Sequence, residues 1–263
     1  MVKSGIWKLV GILAAAITTW PVVGNADCRG TSPAYTIALL ELYTSEGCDS
    51  CPPADRWFSA LSLGPASTRA AGVAFHVDYW DRLGWRDRFG SAAFTERQYE
   101  QMRRHRTAFV YTPQVLLQGD DFGSWRSAGE PAAALAAINA RPARATIELG
   151  EASIDRATIG VDIHVRIPSA ADRSNAVVVV ALVQSGLESD VKAGENAGKR
   201  LLHDHVVRAW RSGLAVGPTG ELRQRINLPL PSERGPLEII AFVENDASGD
   251  VLQALTLGVC ADS

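Results

Sequence analysis

The feature that most restricts this chain is a pair of cysteines, Cys48-Asp49-Ser50-Cys51, set between an apolar run and a helix start. The run, Tyr35 to Tyr43, has strand length and reads as a buried central strand. Gly47-Cys48 breaks it. Pro52-Pro53 then open a helical stretch reaching about Leu61, where their missing N–H groups cost nothing. A helix N-terminus presents free N–H groups and a partial positive charge, and both favour a thiolate. Pairs of this kind lower the first thiol's pKa from about 8.5 into a range of roughly 3.5 to 7.5. The chemistry expected is dithiol–disulfide exchange, with Cys48 the more exposed, attacking thiol and Cys51 the resolving one. Asp49 opposes the thiolate, because an adjacent carboxylate disfavours a second anion. Two other readings stay open. One is an inert structural disulfide within a non-catalytic binding protein. The other is metal handling through Cys48, Cys51 and His76, although a zinc site would need further ligands at suitable spacing.

The residues around the pair alternate between strand and helix patterns. Val73 to Asp78 reads as a second buried strand, and Gln114 to Leu117 as a third, entered through Thr112-Pro113. Ser91 to His105 reads as a helix, with Phe94, Gln98 and Met102 at i, i+4 and i+8, and Glu130 to Ala140 as another. Such alternation predicts an α/β sheet layered with helices over residues 27–142. Arg141-Pro142-Ala143 marks a linker, and the pattern then changes. Ile159 to Ile167 alternates with period two, Val161, Ile163 and Val165 on one side and Asp162, His164 and Arg166 on the other. Further strand-like runs are 176–184, 205–211, 221–228, 237–244 and 251–259. Short strands at this spacing predict a mostly antiparallel β-sandwich over residues 143–263.

Residues 1–26 have the composition of an export signal. Lys3 and Lys8 precede an apolar or small-residue run from Leu9 to Ile17, and Gly24-Asn25-Ala26 supplies small residues before a cut. The run is shorter than the roughly 20 residues that span a bilayer. The expected location is therefore the periplasm or the medium, where disulfides persist. Cys28 and Cys260 are the two cysteines left over, and they are expected to join the ends of the mature chain as a structural disulfide. The net charge is −3, and no Lys/Arg run forms a nucleic-acid footprint. Arg103, Arg104 and Arg106 read as a solvated helix face. Nothing in the sequence calls for a cofactor. The partners expected are protein or peptide thiols and disulfides, together with an unidentified redox partner.

Several side chains are candidates for supporting roles. His76 and Asp78 share a face near the C-terminal end of the second strand, where open α/β sheets bind ligands, and they also read as a hydrogen-bonded structural pair. Trp80 and Trp85, in a loop rich in aromatics and charges, can wall a substrate groove or anchor the core. His203 and His205 flank Asp204 and can share a strand face, as a metal edge or as surface histidines.

The segment Leu42-Tyr-Thr-Ser-Glu-Gly-Cys-Asp-Ser-Cys-Pro-Pro-Ala-Asp55 resembles the signature of a bacterial family of secreted, thioredoxin-like proteins of undefined function. His76-Val-Asp-Tyr-Trp-Asp81, Tyr111-Thr-Pro-Gln114 and Gly194-Glu-Asn-Ala-Gly-Lys-Arg-Leu-Leu-His203 fit the same family. The resemblance implies an α/β thioredoxin-like N-terminal domain, with a cis bond at Thr112–Pro113 facing the cysteines and Thr112 open to pair with an extended substrate. The chain departs from ordinary thioredoxins: no Trp precedes Cys48, and Asp49-Ser50 stands where they have Gly-Pro.

Overall fold

The computed structural model describes residues 1, 29–65, 67, 69–150 and 152–259. The segment expected to direct export, beyond Met1, and the expected Cys28–Cys260 pairing lie outside the described residues. In chain order the strands are β1 (Gly30–Thr31), β2 (Ala38–Thr44), β3 (Ala70–His76), β4 (Gln114–Leu117), β5 (Asp120–Asp121), β6 (Thr146–Leu149), β7 (Ser153–Asp155) and β8 (Thr158–Arg166). They continue as β9 (Ala176–Gln184), β10 (Leu187–Asp190), β11 (Arg200–His203), β12 (Val206–Ala215), β13 (Glu221–Pro229), β14 (Leu237–Asn245) and β15 (Val251–Gly258). Three helices, α1 (Pro52–Ser59), α2 (Ala92–His105) and α3 (Glu130–Asn139), precede β6, and a one-turn α4 (Ala170–Arg173) precedes β9.

Eight strands form one sheet in the order β15-β14-β9-β12-β3-β2-β4-β5. This overturns the expected α/β thioredoxin-like N-terminal domain followed by a separate sandwich. The fold is mostly β, with 41% of the described residues in strands against 19% in helices, and the early strands do not close on themselves. The free edge of β3 runs parallel to β12, Val206 opposite Ala74, and Ala74 N–H donates to the His205 carbonyl at 2.8 Å. The reason lies in α2. Its buried residues are Phe94, Arg97, Gln98 and Gln101, so only one is apolar, and the helix cannot cover a sheet face alone. Ile37, Leu39, Tyr43, Val73 and Phe75 are covered instead by Val179, Ala181, Val183, Ile240 and Phe242 from the later strands.

The sheet curls so that β15 returns to the chain entering β2. Gln253 Oε1 accepts from Ile37 N–H at 2.8 Å, and its Nε2 donates to the Pro33 and Tyr35 carbonyls, both at 3.0 Å. Inside the curl, Arg97 of α2 donates to both Glu41 oxygens at 2.8 Å and to Glu244 at 3.0 and 3.2 Å. The Tyr43 hydroxyl donates to Glu41 at 2.9 Å. Arg103 pairs with Glu96 at the surface, but Arg104 turns inward to Glu244 at 3.2 Å, so the arginine cluster is not simply a solvated face.

The central strands explain why their sequences read as unbroken apolar runs. In β9, Val179, Ala181 and Val183 enter the curl, while Val178, Val180 and Leu182 face a second sheet. That sheet has the order β1-β6-β8-β13, with β7 also paired to β8. The period-two pattern of β8 sends Ile159, Val161, Ile163 and Val165 into the layer between the sheets. On the other side of β2 and β3, α1 and α3 pack Ala54, Phe58 and Ile138 against Leu40, Leu42 and Ala74.

Candidate functional site

Strand β2, buried on both faces, delivers Thr44-Ser45-Glu46-Gly47 to the cysteine turn. Gly47 is needed there, because a Cβ would lie 3.0 Å from the Trp80 Cβ. Cys48 and Cys51 are joined as a disulfide with their Cα atoms 5.4 Å apart, and Cys51 is the N-cap of α1. Two sequence expectations fail at this turn. Cys48 was expected to be exposed, yet both cysteines are 0% exposed, while Asp49 and Ser50 face solvent. The first turn of α1 was expected to offer free N–H groups to a thiolate. Pro52 and Pro53 have none, and Ala54 N–H is taken by the Cys51 carbonyl at 2.8 Å.

The cover comes from the far half of the chain. Residues 191–199 connect β10 to β11, a two-stranded sheet of its own. Asn196, fully buried, donates from Nδ2 to the carbonyls of Glu46 and Cys48, both at 2.8 Å. Lys199 Nζ donates to Asn196 Oδ1 at 2.8 Å, and Asp49 N–H donates to Glu195 Oε2 at 3.2 Å.

Next to the cysteines lies a buried cluster of titratable side chains. His76 Nδ1 and Asp87 Oδ2 are 2.7 Å apart, and Asp87 also accepts from the backbone N–H of Glu46 and Phe89 at 2.9 Å. Glu46 accepts from Trp85 Nε1 at 2.7 Å and lies 3.5 Å from His203 Nε2. The rings of His76 and His203 have centroids 4.9 Å apart, with Phe89 against both. Asp55 accepts from the Thr44 hydroxyl at 2.8 Å. A narrow cavity separates Asp55, His76 and His203, walled by Leu42, Phe58 and Ala74. His76 Nε2, both ring nitrogens of His203 and Glu46 Oε1 have no hydrogen-bond partner.

Burial disfavours every charge in this cluster, and the partners decide the outcome. For Asp87, burial raises the carboxyl pKa, but the His76 charge and hydrogen bonds bring it below the usual carboxylate range. For His76, burial lowers the pKa, but the carboxylates of Asp87, Asp55 and Glu46 bring it above the usual imidazole value. Burial raises Glu46 too, and the donors around it, the His203 ring first and then Ser189 and Trp85, outweigh it, leaving this carboxyl low. Asp55 goes the other way: burial holds its carboxyl above the usual range despite His203 and His76.

The structure redistributes the remaining candidates. His76 does not pair with Asp78, whose Oδ1 accepts from the Thr95 hydroxyl at 2.6 Å. Trp80 and Trp85 are both half-buried, Trp80 Nε1 donating to Thr112 Oγ1 at 2.8 Å. The Thr112–Pro113 bond is cis. His203 and His205 do not share a strand face. His203 ends β11, His205 follows it, and both are buried rather than on the surface. Among the described residues no group of three or more His, Cys, Asp or Glu side chains is arranged to hold a metal ion. A broad surface groove crosses the second sheet near Glu148, Asp162, His164 and Arg225, and none of the cysteine-site residues lines it.

Sequence reasoning gave no role to Glu46, Asp55, Asp87, Glu195 and Asn196, although all but Asp87 lie in segments that carry the family resemblance. Glu46 and Asp55 carried a usable signal: acids two residues before and four after the cysteine pair, beside an apolar strand and on a helix it buries. Asn196 sits in a polar, glycine-bearing stretch indistinguishable from a surface loop.

Compared with known proteins, residues 39–244 match the model of a family described as protein of unknown function (DUF1223). No curated protein matches. The chain is similar in structure to a protein of Agrobacterium tumefaciens solved by X-ray crystallography, with a TM-score of 0.58 and 24% identity, covering 92% of this chain and 98% of that one. It is also similar to HBP35 of Porphyromonas gingivalis, with a TM-score of 0.60 and 13% identity, covering 87% of this chain and 76% of that one. At these identities the likeness is one of fold.

Proposed function

The chain belongs to the DUF1223 family, whose function is unknown, and we propose that it is an exported thiol–disulfide oxidoreductase acting on protein or peptide thiols through Cys48 and Cys51. One observation carries the reading. The cysteine pair is bracketed in the chain by Glu46 and Asp55, members of a buried titratable cluster with unpartnered polar atoms. A disulfide that served only as a staple would need no such cluster, and orphaned buried groups are costly unless something uses them. Burial raises the carboxyl pKa of Asp55, which favours its protonated form.

In the reducing direction the Cys48 thiolate attacks one sulfur of a substrate disulfide. A mixed disulfide forms, and the first substrate sulfur leaves as a thiolate that takes up a proton. Cys51, deprotonated, then attacks the Cys48 sulfur and releases the second substrate thiolate. The substrate gains two electrons and two protons, and the chain ends as the Cys48–Cys51 disulfide. A dithiol partner must then reduce it. The opposite direction runs the same steps backwards.

A second reading is favoured by a specific observation: both cysteines are fully buried, as a structural staple in a binding protein would be. Substitution separates the two. Cys51→Ser should accumulate mixed disulfides through Cys48, and Cys48→Ser should form none and lose exchange with a protein disulfide such as insulin. Full exchange in Cys48→Ser, or none in the wild type with any dithiol, leaves the staple as the function of the pair.

A further inference from the structure

One element that belongs to neither large sheet reaches over the cysteine turn. Strands β10 and β11 pair only with each other. The base of this hairpin is fixed: Leu187 packs with Phe89 and Val206, and Arg88 donates to Ser189 Oγ at 3.1 Å and to the Glu188 carbonyl at 2.8 Å. Its tip is held differently. Among the hydrogen bonds from residues 191–199 to other parts of the chain, those to the cysteine turn come from Asn196 and Glu195. They all meet the backbone of residues 46–49. Lifting the tip would therefore break three hydrogen bonds and none of the ladder bonds of either large sheet.

We propose that residues 191–199 are a lid over the Cys48–Cys51 disulfide, with Asn196 as its latch, and that it must lift before any partner thiol reaches a sulfur. The inference rests on the oxidoreductase reading for its purpose, but not for its physics. Attack on a disulfide requires a nucleophile in line with the sulfur–sulfur bond, and neither cysteine has surface to offer while the lid is closed. The observed rate is then the open fraction multiplied by the rate of an unhindered disulfide. Asn196 sets the open fraction because its amide spans two carbonyls, Glu46 before the turn and Cys48 within it. Lys199 fixes the amide's orientation from the other side. The lid thus selects for substrates that bring enough binding energy to displace it, which favours folded proteins or long peptides over small thiols.

A water-soluble trialkylphosphine tests this without any protein substrate. It attacks one sulfur, the sulfur–sulfur bond breaks, and water converts the phosphonium to phosphine oxide and leaves two thiols. Asn196→Asp keeps the side-chain size and removes the donor. It should be reduced about 30-fold faster than the wild type, the factor expected for two lost hydrogen bonds of ordinary net strength. Glu195→Gln, at the exposed rim, should give a smaller acceleration. Deuterium uptake by the amides of 191–199 should rise in Asn196→Asp and stay unchanged in β2 and β3, which separates lid release from general unfolding. Wild-type and Asn196→Asp rates within about twofold of each other, with uptake raised at the lid, would overturn the proposal. So would a wild-type disulfide reduced as fast as an unhindered model disulfide. Accelerated phosphine reduction with no exchange on any protein disulfide keeps the lid and removes the oxidoreductase reading. Protein exchange with unaltered phosphine kinetics does the reverse.

Discussion

Two buried groups of charged side chains lie on either side of strand β3, and they differ in how fully they are satisfied. Around Arg97, within the curl of the large sheet, the guanidinium meets Glu41 and Glu244, Tyr43 adds a hydroxyl, and Arg104 shares Glu244. None of these atoms lacks a partner. Around His76, beside the disulfide, four nitrogen and oxygen atoms make no hydrogen bond, although two of them, His203 Nε2 and Glu46 Oε1, face each other at 3.5 Å. A completed network in a low-dielectric interior fastens elements together, and here it ties α2 to strands from both ends of the chain. An incomplete one sacrifices stability, and this one lies next to the cysteine pair.

Substitutions can break this contrast. Arg97→Met keeps the volume and strands two buried carboxylates, so it should cost about 3–5 kcal/mol in denaturant unfolding. Replacing Glu41 and Glu244 by Gln in the same chain should recover much of that loss. A small effect of Arg97→Met alone would mean that the network is not a fastener.

Asp87→Asn should cost less, about 1–3 kcal/mol, and should also change the dependence on pH. The His76 pKa is raised in the fold, so its contribution is complete below its ordinary value of about 6.5 and is lost as pH rises through the raised value. The Asp87 pKa is lowered, so its contribution is complete above about 3.9 and is lost as pH falls through the lowered value. The pair therefore helps most between about pH 4 and 6.5. Wild-type melting temperature should fall between pH 6 and 9 more steeply than that of Asp87→Asn; parallel curves would count against a charged pair.

His203→Leu should have the smallest effect on folding, under about 1 kcal/mol, because it removes a ring whose nitrogens are already unpaired. The Glu46 carboxyl should titrate higher in this variant, since the His203 ring 3.5 Å away helps hold it low. A loss of stability as large as that of Asp87→Asn would erase the difference between the two clusters.

Local pattern carried much of the secondary structure. The helix starting after Ser91 was marked by the spacing of Phe94, Gln98 and Met102, and the last five long strands stood out as strand-like runs. Pairing partners were not written locally. An apolar run such as Ala176–Gln184 announces burial on both faces, but not that one face covers Tyr43 and Phe75. The thioredoxin-like expectation failed at that point: the strand–helix alternation was present, while the polar inner face of α2 required a cover from elsewhere. The site was legible at Cys48 and Cys51 and at His76. It was hidden at Asn196, since a buried latch and a solvated loop residue look alike until the hairpin is placed. Leu187–Asp190 and Arg200–His203, four residues each, are too short for periodicity to register.

The glutamine that seals the curl has a consequence for how the molecule is made. Gln253 meets Ile37 across 216 positions of sequence. A ribosome has therefore released almost the whole chain before the strands bearing the cysteine turn receive their final cover. Until then the nascent segment carries Leu39, Tyr43, Val73 and Phe75 unprotected, and contacts of such long separation form slowly. The interval between finishing β3 and finishing β15 is thus a period of exposed apolar edge.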